Sequence, residues 1–334
     1  MQVVTGYDLI SDDDVYRSMQ IKQHKPSFKE QFIQEYSEGF DAEWVENFIR
    51  VCNHHPRKAI RVNTTKIYLE NLKKQLHENW KLTSVPWCDE GFWIENTEED
   101  RFDVGNLYSH LVGHLYVQSA ASMIPPVVLD VKPGMTVLDM CAAPGSKTTQ
   151  IAQYMEDKGI IIANDSDGNR LKALGINQQR LGLQSILVTN MNGEDIPAEQ
   201  KFDRILVDAP CSGSGTVMKS HRAAEMWSES LISRMVGIQN VLIRKAWSLL
   251  KPGGIMVYST CSVQPEENEG VVSDFLAEAD ARLLDIDLDI QSTPPVTEWK
   301  DSTYEGVAKT LRISPQDNWT EGFYVAKIAK PGRQ

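Results

Sequence analysis

From about residue 115 onward the sequence alternates short apolar, β-rich runs with helical stretches, and this alternation restricts the fold more than any other feature of the chain. The runs are MTVLDM near 137, GIIIAND near 161, SILVTN near 187, FDRILVDAP near 205 and GIMVYSTCS near 257. Helical patterns occupy the intervals 147–156, 168–181 and 229–250, and a fourth follows the last run at 265–279. Strands joined through helices pair in parallel by crossovers, which predicts a doubly wound α/β sheet over residues 116–334. Such a sheet binds its ligands at the carboxyl ends of the strands, beside the point where strand order reverses.

Residues 1–115 have a different texture. FKEQFIQEYSEGF and EWVENFIRVCN place apolar residues near the helical period, whereas 61–67 and the Trp-rich 87–94 read as short strands, with the acidic 95–103 as a loop. A smaller α+β N-terminal domain is expected there. Trp80, Trp87 and Trp93 could stack on bases, but packing is the expectation. Cys52 and Cys88 are expected to pack as small hydrophobes.

Charge and cysteine usage bound the function. The formal net charge is -12, spread evenly: 13 Lys+Arg against 19 Asp+Glu through residue 115, and 21 against 27 thereafter. A strongly basic nucleic-acid-binding domain is therefore excluded. Local basic groups remain as candidates for phosphate contact, namely Lys22, Lys25, Lys29, Arg57, Lys58, Arg61 and Lys219. Five scattered cysteines without a CxxC pair fit neither a disulfide framework nor a zinc knuckle. His110 and His114 share a helical face but lack the Glu of an HExxH pair, so no metal is expected. The first residues carry neither a basic lead nor an apolar segment, and no run approaches the ~18 residues of a membrane span, so a cytoplasmic setting is expected.

Chemistry is concentrated at the strand ends. The first strand runs into Asp139-Met140-Cys141-Ala142-Ala143-Pro144-Gly145-Ser146-Lys147, small residues that let backbone approach a ligand. A phosphate loop would need Gly directly before Lys147, and Ser146 stands there. The second strand ends at Asp165, which suits a ribose diol or simply a helix cap. The fourth runs into Asp208-Ala209-Pro210-Cys211 and the fifth into Ser259-Thr260-Cys261. Two thiols on one crevice suggest covalent catalysis: a thiolate added at C6 of a pyrimidine makes C5 nucleophilic enough to take a methyl group from a sulfonium. Cys261 is also expected to precede a helix start, whose dipole favours a thiolate.

At these residues the sequence resembles the Sun-domain family of S-adenosylmethionine-dependent RNA 5-methylcytosine methyltransferases, nearest its tRNA-modifying branch. The matching stretches are VLDMCAAPGSKTTQ, IIANDSD, FDRILVDAPCSGSGT and MVYSTCSVQPEENEGVV, with weaker likeness in RKAIRVNTTK, GHLYVQSAASMIPP and EGFYVAKIAK. The resemblance implies a Rossmann-like class I methyltransferase domain over 116–334, preceded by an RNA-recognition region over 1–115. It implies that Cys261 is the nucleophile, that Cys211 assists proton removal and product release, and that Lys147 and Asp208 lie at the reacting base. Cys141, Ala142, Ala143, Pro144, Gly145, Ser146 and Lys147 would hold the methionine part of S-adenosylmethionine. Asp165 would bind the ribose, Arg170 would support that site, and Asp208 would lie between cofactor and cytosine. Where the family commonly has Asp after the third strand this chain has Asn192, an amide still able to meet adenine. The implied partner is RNA, foremost tRNA, with the target cytosine unstacked and the enzyme a monomer. Ribosomal RNA as substrate, or a cofactor-binding RNA chaperone without turnover, are the alternatives.

Overall fold

A computed structural model describes residues 26–97 and 103–332; Lys22, Lys25 and the middle of the expected acidic loop lie outside the described residues. The N-terminal part opens with α1 (Glu30–Gly39) and α2 (Ala42–Cys52), the second capped by the Asp41 carboxylate, which accepts from Trp44 N at 2.7 Å. Their aromatic face, including Phe32, Tyr36 and Phe48, packs on Val217, Met218, Trp227 and Ile232 of the larger domain.

Next come β1 (Ala59–Val62), α3 (Leu69–Leu76), β2 (Trp80–Val85), β3 (Cys88–Asn96), α4 (Tyr108–Leu111) and β4 (Leu115–Val117). The four strands form an antiparallel sheet in the order β2-β3-β1-β4. The strand expected at 61–67 stops at Val62, because the Asn63 carbonyl turns back to accept the Lys66 and Ile67 amides. The strand expected at 87–94 is the second arm of a hairpin that begins at Trp80, and Trp87 sits in its turn. Trp87 and Trp93 pack edge to face at 5.6 Å and are buried, as are Trp80, Cys52 and Cys88. Because β4 pairs with β1 through Ile60 and Val117, the small sheet ends two residues past the 115/116 line.

The larger domain carries α5 (Ile124–Leu129), β5 (Thr136–Asp139), α6 (Ser146–Tyr154), β6 (Ile160–Asn164), α7 (Gly168–Leu181), β7 (Ile186–Thr189) and β8 (Phe202–Asp208). It continues with α8 (Arg222–Met226), α9 (Glu229–Leu249), β9 (Leu250–Thr260), α10 (Glu269–Glu278), β10 (Arg282–Leu283), a ribbon of β11 (Glu298–Trp299) and β12 (Ser302–Thr303), β13 (Leu311–Ile313), α11 (Pro315–Asn318) and β14 (Phe323–Ala329). The main sheet runs β10-β14-β9-β8-β5-β6-β7, with β5 to β9 mutually parallel and β14 antiparallel to β9. This is the Rossmann-like doubly wound arrangement. Successive residues of the central strands enter opposite core layers, Val137, Leu206 and Val257 one layer and Leu138, Val207 and Tyr258 the other, so these strands read as unbroken apolar runs.

Local chemistry sets the helix starts. Asp167 caps α7 by accepting from the Asn169 and Arg170 amides, a contribution of about 1 kcal/mol. Gly145 precedes α6 at φ 101, and a Cβ there would meet Leu174 at 3.1 Å. The helix expected at 265–279 is broken: one 3-10 turn at Pro265–Glu267, then Asn268 at φ −111 and ψ −93, then α10. The helix start expected after Cys261 thus comes in two pieces, and Asn268, just before α10, bonds to Ser262 O and Thr260 Oγ1 on either side of Cys261.

Arg61 also needs correcting as a candidate for RNA contact. It is 1% exposed and donates to Gln118 Oε1 at 2.9 Å, Gln153 Oε1 at 2.5 Å and Thr149 Oγ1 at 2.9 Å, joining β1 to α6. Replacing Arg61 by Met leaves these buried acceptors unpaired and should destabilise the fold by about 2–4 kcal/mol, read as a lower urea midpoint. An unchanged midpoint with weakened RNA binding would restore the RNA role.

Candidate active site

Strand order reverses between β5 and β8, since β5 pairs with β6 on one side and β8 on the other. The carboxyl ends of these strands open onto a cleft of about 770 Å³ lined in part by Cys141, Asp165, Arg170, Asn192, Asp208, Cys211 and Cys261. Seven of the residues singled out in the sequence thus share one space.

The two sulfurs face each other: Cys211 Sγ and Cys261 Sγ are 3.3 Å apart. Its hydrogen bond with Cys261, then burial, push the Cys211 thiol well above its ordinary range, so Cys211 keeps its proton beside Cys261. The loops carrying them approach closely because Gly215 has no side chain; a Cβ there would fall 2.4 Å from Gly322 O. Gly215 N donates to Cys261 O at 3.1 Å.

Asp208 lies at the end of β8, with Lys147 Nζ at 2.7 Å from Oδ2 and the Ser259 hydroxyl donating to Oδ1 at 2.8 Å. Burial alone would lower the Lys147 pKa, but the Asp208 carboxylate outweighs it and holds the ammonium above its ordinary value. The Lys147 ammonium also sits 5.2 Å over the Phe323 ring.

The loop after β5 is held from behind. Ala142 N donates to Asn164 O at 2.7 Å, and Ala143 N to Asp165 Oδ2 at 3.1 Å. Arg170 Nη2 donates to Ala143 O at 2.5 Å, and Nη1 lies 3.4 Å from Asp165 Oδ2. Asp165 also accepts from Asp167 N at 3.0 Å, while the cap of α7 itself belongs to Asp167. Ala142, Ala143, Pro144, Gly145, Ser146 and Lys147 are not among the cleft-lining residues, whereas Cys141 is, and Lys147 reaches the site through its ion pair with Asp208. Asn192 lines the cleft, and its amide nitrogen donates to Asp195 Oδ2 at 3.0 Å.

Several site residues were not foreseen. Asp139 is fully buried, accepts from Thr148 Oγ1 at 2.7 Å with one oxygen, and leaves Oδ1 without a partner. Burial pushes its carboxyl up to about 7. Arg234, Ile238, Val241 and Leu242 of α9 line the cleft opposite the loops, and Ile238 and Val241 stay exposed. Exposed apolar residues one turn apart on α9 were the available signal. Ser259 holds Asp208, and Glu267 binds both cysteine loops; neither stood out by type or spacing.

A second cleft of about 430 Å³ brings Arg57, Lys58 and Lys219 together with His55, Ser119 and Glu321. Gly322, which follows Glu321, donates to Gly215 O at 2.9 Å and so ties this wall to the loop after Cys211, whose Gly215 N in turn reaches Cys261 O. Arg57 lies 3.0 Å from Glu95 and over the Trp93 ring. Lys29 lies elsewhere, donating to Trp227 O at 2.6 Å.

Residues 126–329 match the family described as 16S rRNA methyltransferase RsmB/F, and residues 28–120 match the N-terminal domain of 16S rRNA methyltransferase RsmF. The tRNA (cytosine(49)-C(5))-methyltransferase of Pyrococcus abyssi is 43% identical over 94% of this chain and 100% of its own length. The ribosomal RNA small subunit methyltransferase F of Aliivibrio salmonicida is 39% identical over 86% of this chain, which spans 60% of that protein. Among solved structures, a methyltransferase homolog from Pyrococcus horikoshii superposes with a TM-score of 0.82 at 35% identity, covering 91% of this chain and 96% of that one. NSun6 from the same organism, solved with SFG, gives 0.81 at 25% identity, covering 93% and 100%. Among the described residues no helix is long and apolar enough to cross a membrane.

Proposed function

Since the chain belongs to the RsmB/F family of RNA methyltransferases, which use S-adenosylmethionine, we propose that it methylates C5 of a cytosine in tRNA, with position 49 the first candidate. The observation that carries this reading is the pair of sulfurs 3.3 Å apart on the cleft at the switch point. The Pyrococcus abyssi tRNA enzyme is matched over its whole length, whereas the Aliivibrio salmonicida rRNA enzyme is matched over 60% of its own, and this difference favours tRNA.

The cleft suits S-adenosylmethionine in volume and in donor set. Asp165 and Asn192, which line the cleft, offer acceptors to a ribose and an adenine. The Cys141–Lys147 loop holds the methionine end and Arg170 steadies Asp165. When bound, the cofactor supplies an electrophilic methyl group to C5.

Cys261 adds as thiolate to C6, forming a C6–S bond and pushing electrons toward C5 and N3. The Lys147–Asp208 pair supplies the hydrogen bond at N3 that offsets this charge. After C5 has taken the methyl group, its proton passes to a water positioned by Cys211, the C–H electrons re-form the C5–C6 double bond, and the C6–S bond breaks. The Cys211 thiol donates to the departing Cys261 sulfur and so lowers the cost of its leaving as an anion.

Residues 1–115 serve RNA recognition and 116–334 catalysis, in a cytoplasmic monomer that needs no metal. Arg57, Lys58 and Lys219 lead RNA backbone toward Cys261 through the second cleft. Transfer of labelled methyl from S-adenosylmethionine to an unmodified tRNA transcript, lost when cytosine 49 is replaced by uridine, is the expected result. Labelling of 16S rRNA and not tRNA would favour the ribosomal reading, and labelling of neither the non-catalytic one.

Asp165→Ala should weaken cofactor binding about tenfold to hundredfold while RNA affinity is largely kept, as measured by calorimetry. Unchanged cofactor affinity would return Asp165 to supporting the loop through Ala143 and Asp167.

A further inference from the structure

Glu267 is 0% exposed, and its four hydrogen-bond partners are neutral. Its Oε1 accepts from Ser212 N at 2.8 Å and from Gln239 Nε2 at 3.0 Å. Its Oε2 accepts from Ser212 Oγ at 2.5 Å and from Ser262 Oγ at 2.6 Å. Ser212 follows Cys211 and Ser262 follows Cys261, so one carboxylate is bonded to the chain neighbours of both sulfurs. Burying a carboxylate is costly unless its lone pairs are filled, and here all four acceptor positions are used. The backbone of Glu267 is fixed in turn, since Tyr258 of β9 donates its hydroxyl to Glu267 O at 2.7 Å. Gln239 of α9 uses the same amide nitrogen to hold Pro210 O at 2.9 Å, the residue just before Cys211.

We propose that Glu267 is a positioning residue, a carboxylate clamp that sets the separation of the two sulfurs and thereby controls product release. The inference rests on the reading that Cys261 attacks and Cys211 assists release. Attack needs Cys261 alone, whereas release needs Cys211 in register with the sulfur that departs. Loosening the clamp therefore slows release more than attack, and the covalent protein–RNA adduct accumulates although both cysteines are present.

The test uses the full-length protein, S-adenosylmethionine and unmodified tRNA transcript, with the Cys211→Ala variant alongside. Glu267→Ala is expected to lower turnover at least ~10-fold, as for other small misplacements of reacting groups, with KM for S-adenosylmethionine within about twofold. It is also expected to give an RNA-dependent shifted band on a denaturing gel. Glu267→Gln is expected to stay within about threefold of the parent, because its carbonyl still serves Ser212 N and Gln239 while its amide donates to the two serine hydroxyls, which can accept. Where Glu267→Ala does not fold, Ser212→Ala decides: the backbone amide contact survives, and a partial loss of turnover with a visible adduct is expected. Parental turnover without adduct in the deciding variant overturns the clamp, as does lost turnover without adduct while Cys211→Ala traps RNA. If Cys211→Ala itself traps none, the cysteine assignment fails, and the clamp with it.

Discussion

Replacing Cys261 by alanine should abolish methyl transfer, lowering turnover by at least ~10³-fold, because the substitution removes the step that makes C5 nucleophilic rather than one contact among many. Cytosine C5 does not attack a methyl sulfonium unaided; electron density reaches it only once a sulfur is bonded at C6. The fold should tolerate the change. Cys261 is half-buried and its thiol faces Cys211 on an open cleft, so losing one sulfur costs about 1 kcal/mol or less. Cofactor affinity should stay within about twofold, since the acceptors offered to the cofactor belong to Asp165 and Asn192. Tritium transfer to tRNA, measured with calorimetry of the same preparation, checks both halves. Transfer that survives in Cys261→Ala would remove Cys261 as nucleophile. Transfer lost together with cofactor binding would mean that the sulfur shapes the pocket.

The parallel core of the sheet was legible because its central strands, β5, β8 and β9, are apolar runs buried on both faces, whereas the edge strand β7 leaves Leu187 and Val188 exposed. The 168–181 helix was read to the residue, since Asp167 and Gly182 mark its ends chemically. What escaped is non-local. β14 is antiparallel and inserts between β9 and β10, so it follows no alternation, although its residues were noted in the stretch EGFYVAKIAK. Arg61 looks like a surface cation in a basic cluster, and only docking of β1 against α6 reveals that Gln118, Thr149 and Gln153 enclose it. At the site the motif residues were found because each ends a strand, and strand ends converge by topology. Glu267 was passed over within PEEN because its role depends on two serines more than fifty positions away or five positions before it, Ser212 and Ser262, joined only in space. The cut in the expected 265–279 helix has the same origin: Asn268 leaves helical geometry to donate to Ser262 O at 2.9 Å and accept from Thr260 Oγ1 at 2.6 Å, bonds that brace the loop after β9.

The Cys211→Ala variant is expected to behave in the opposite way, trapping RNA instead of ignoring it. With Cys211 present, a protonated thiol lies 3.3 Å from the sulfur that must depart as an anion in a partly buried site. Such a leaving group is costly without a hydrogen-bond donor, because the low dielectric that favours attack also penalises the unpaired thiolate on return. Alanine at 211 removes that donor and the group that positions the proton-accepting water, while Cys261, Lys147 and Asp208 remain for attack and methyl transfer. Methylated cytosine should then stay bonded to Cys261, giving a protein–RNA band that survives denaturation and appears only when tRNA is supplied. Turnover should fall by at least ~10²-fold, in the range of a lost acid–base group. In the Cys211→Ala, Cys261→Ala double variant the band should vanish, because the sulfur that bonds RNA is gone. A single Cys211→Ala variant that binds tRNA normally yet forms no band would remove Cys211 from the release step. A band persisting in the double variant would place the covalent bond on another residue, and Cys141, which lines the same cleft, would then be the next sulfur to replace.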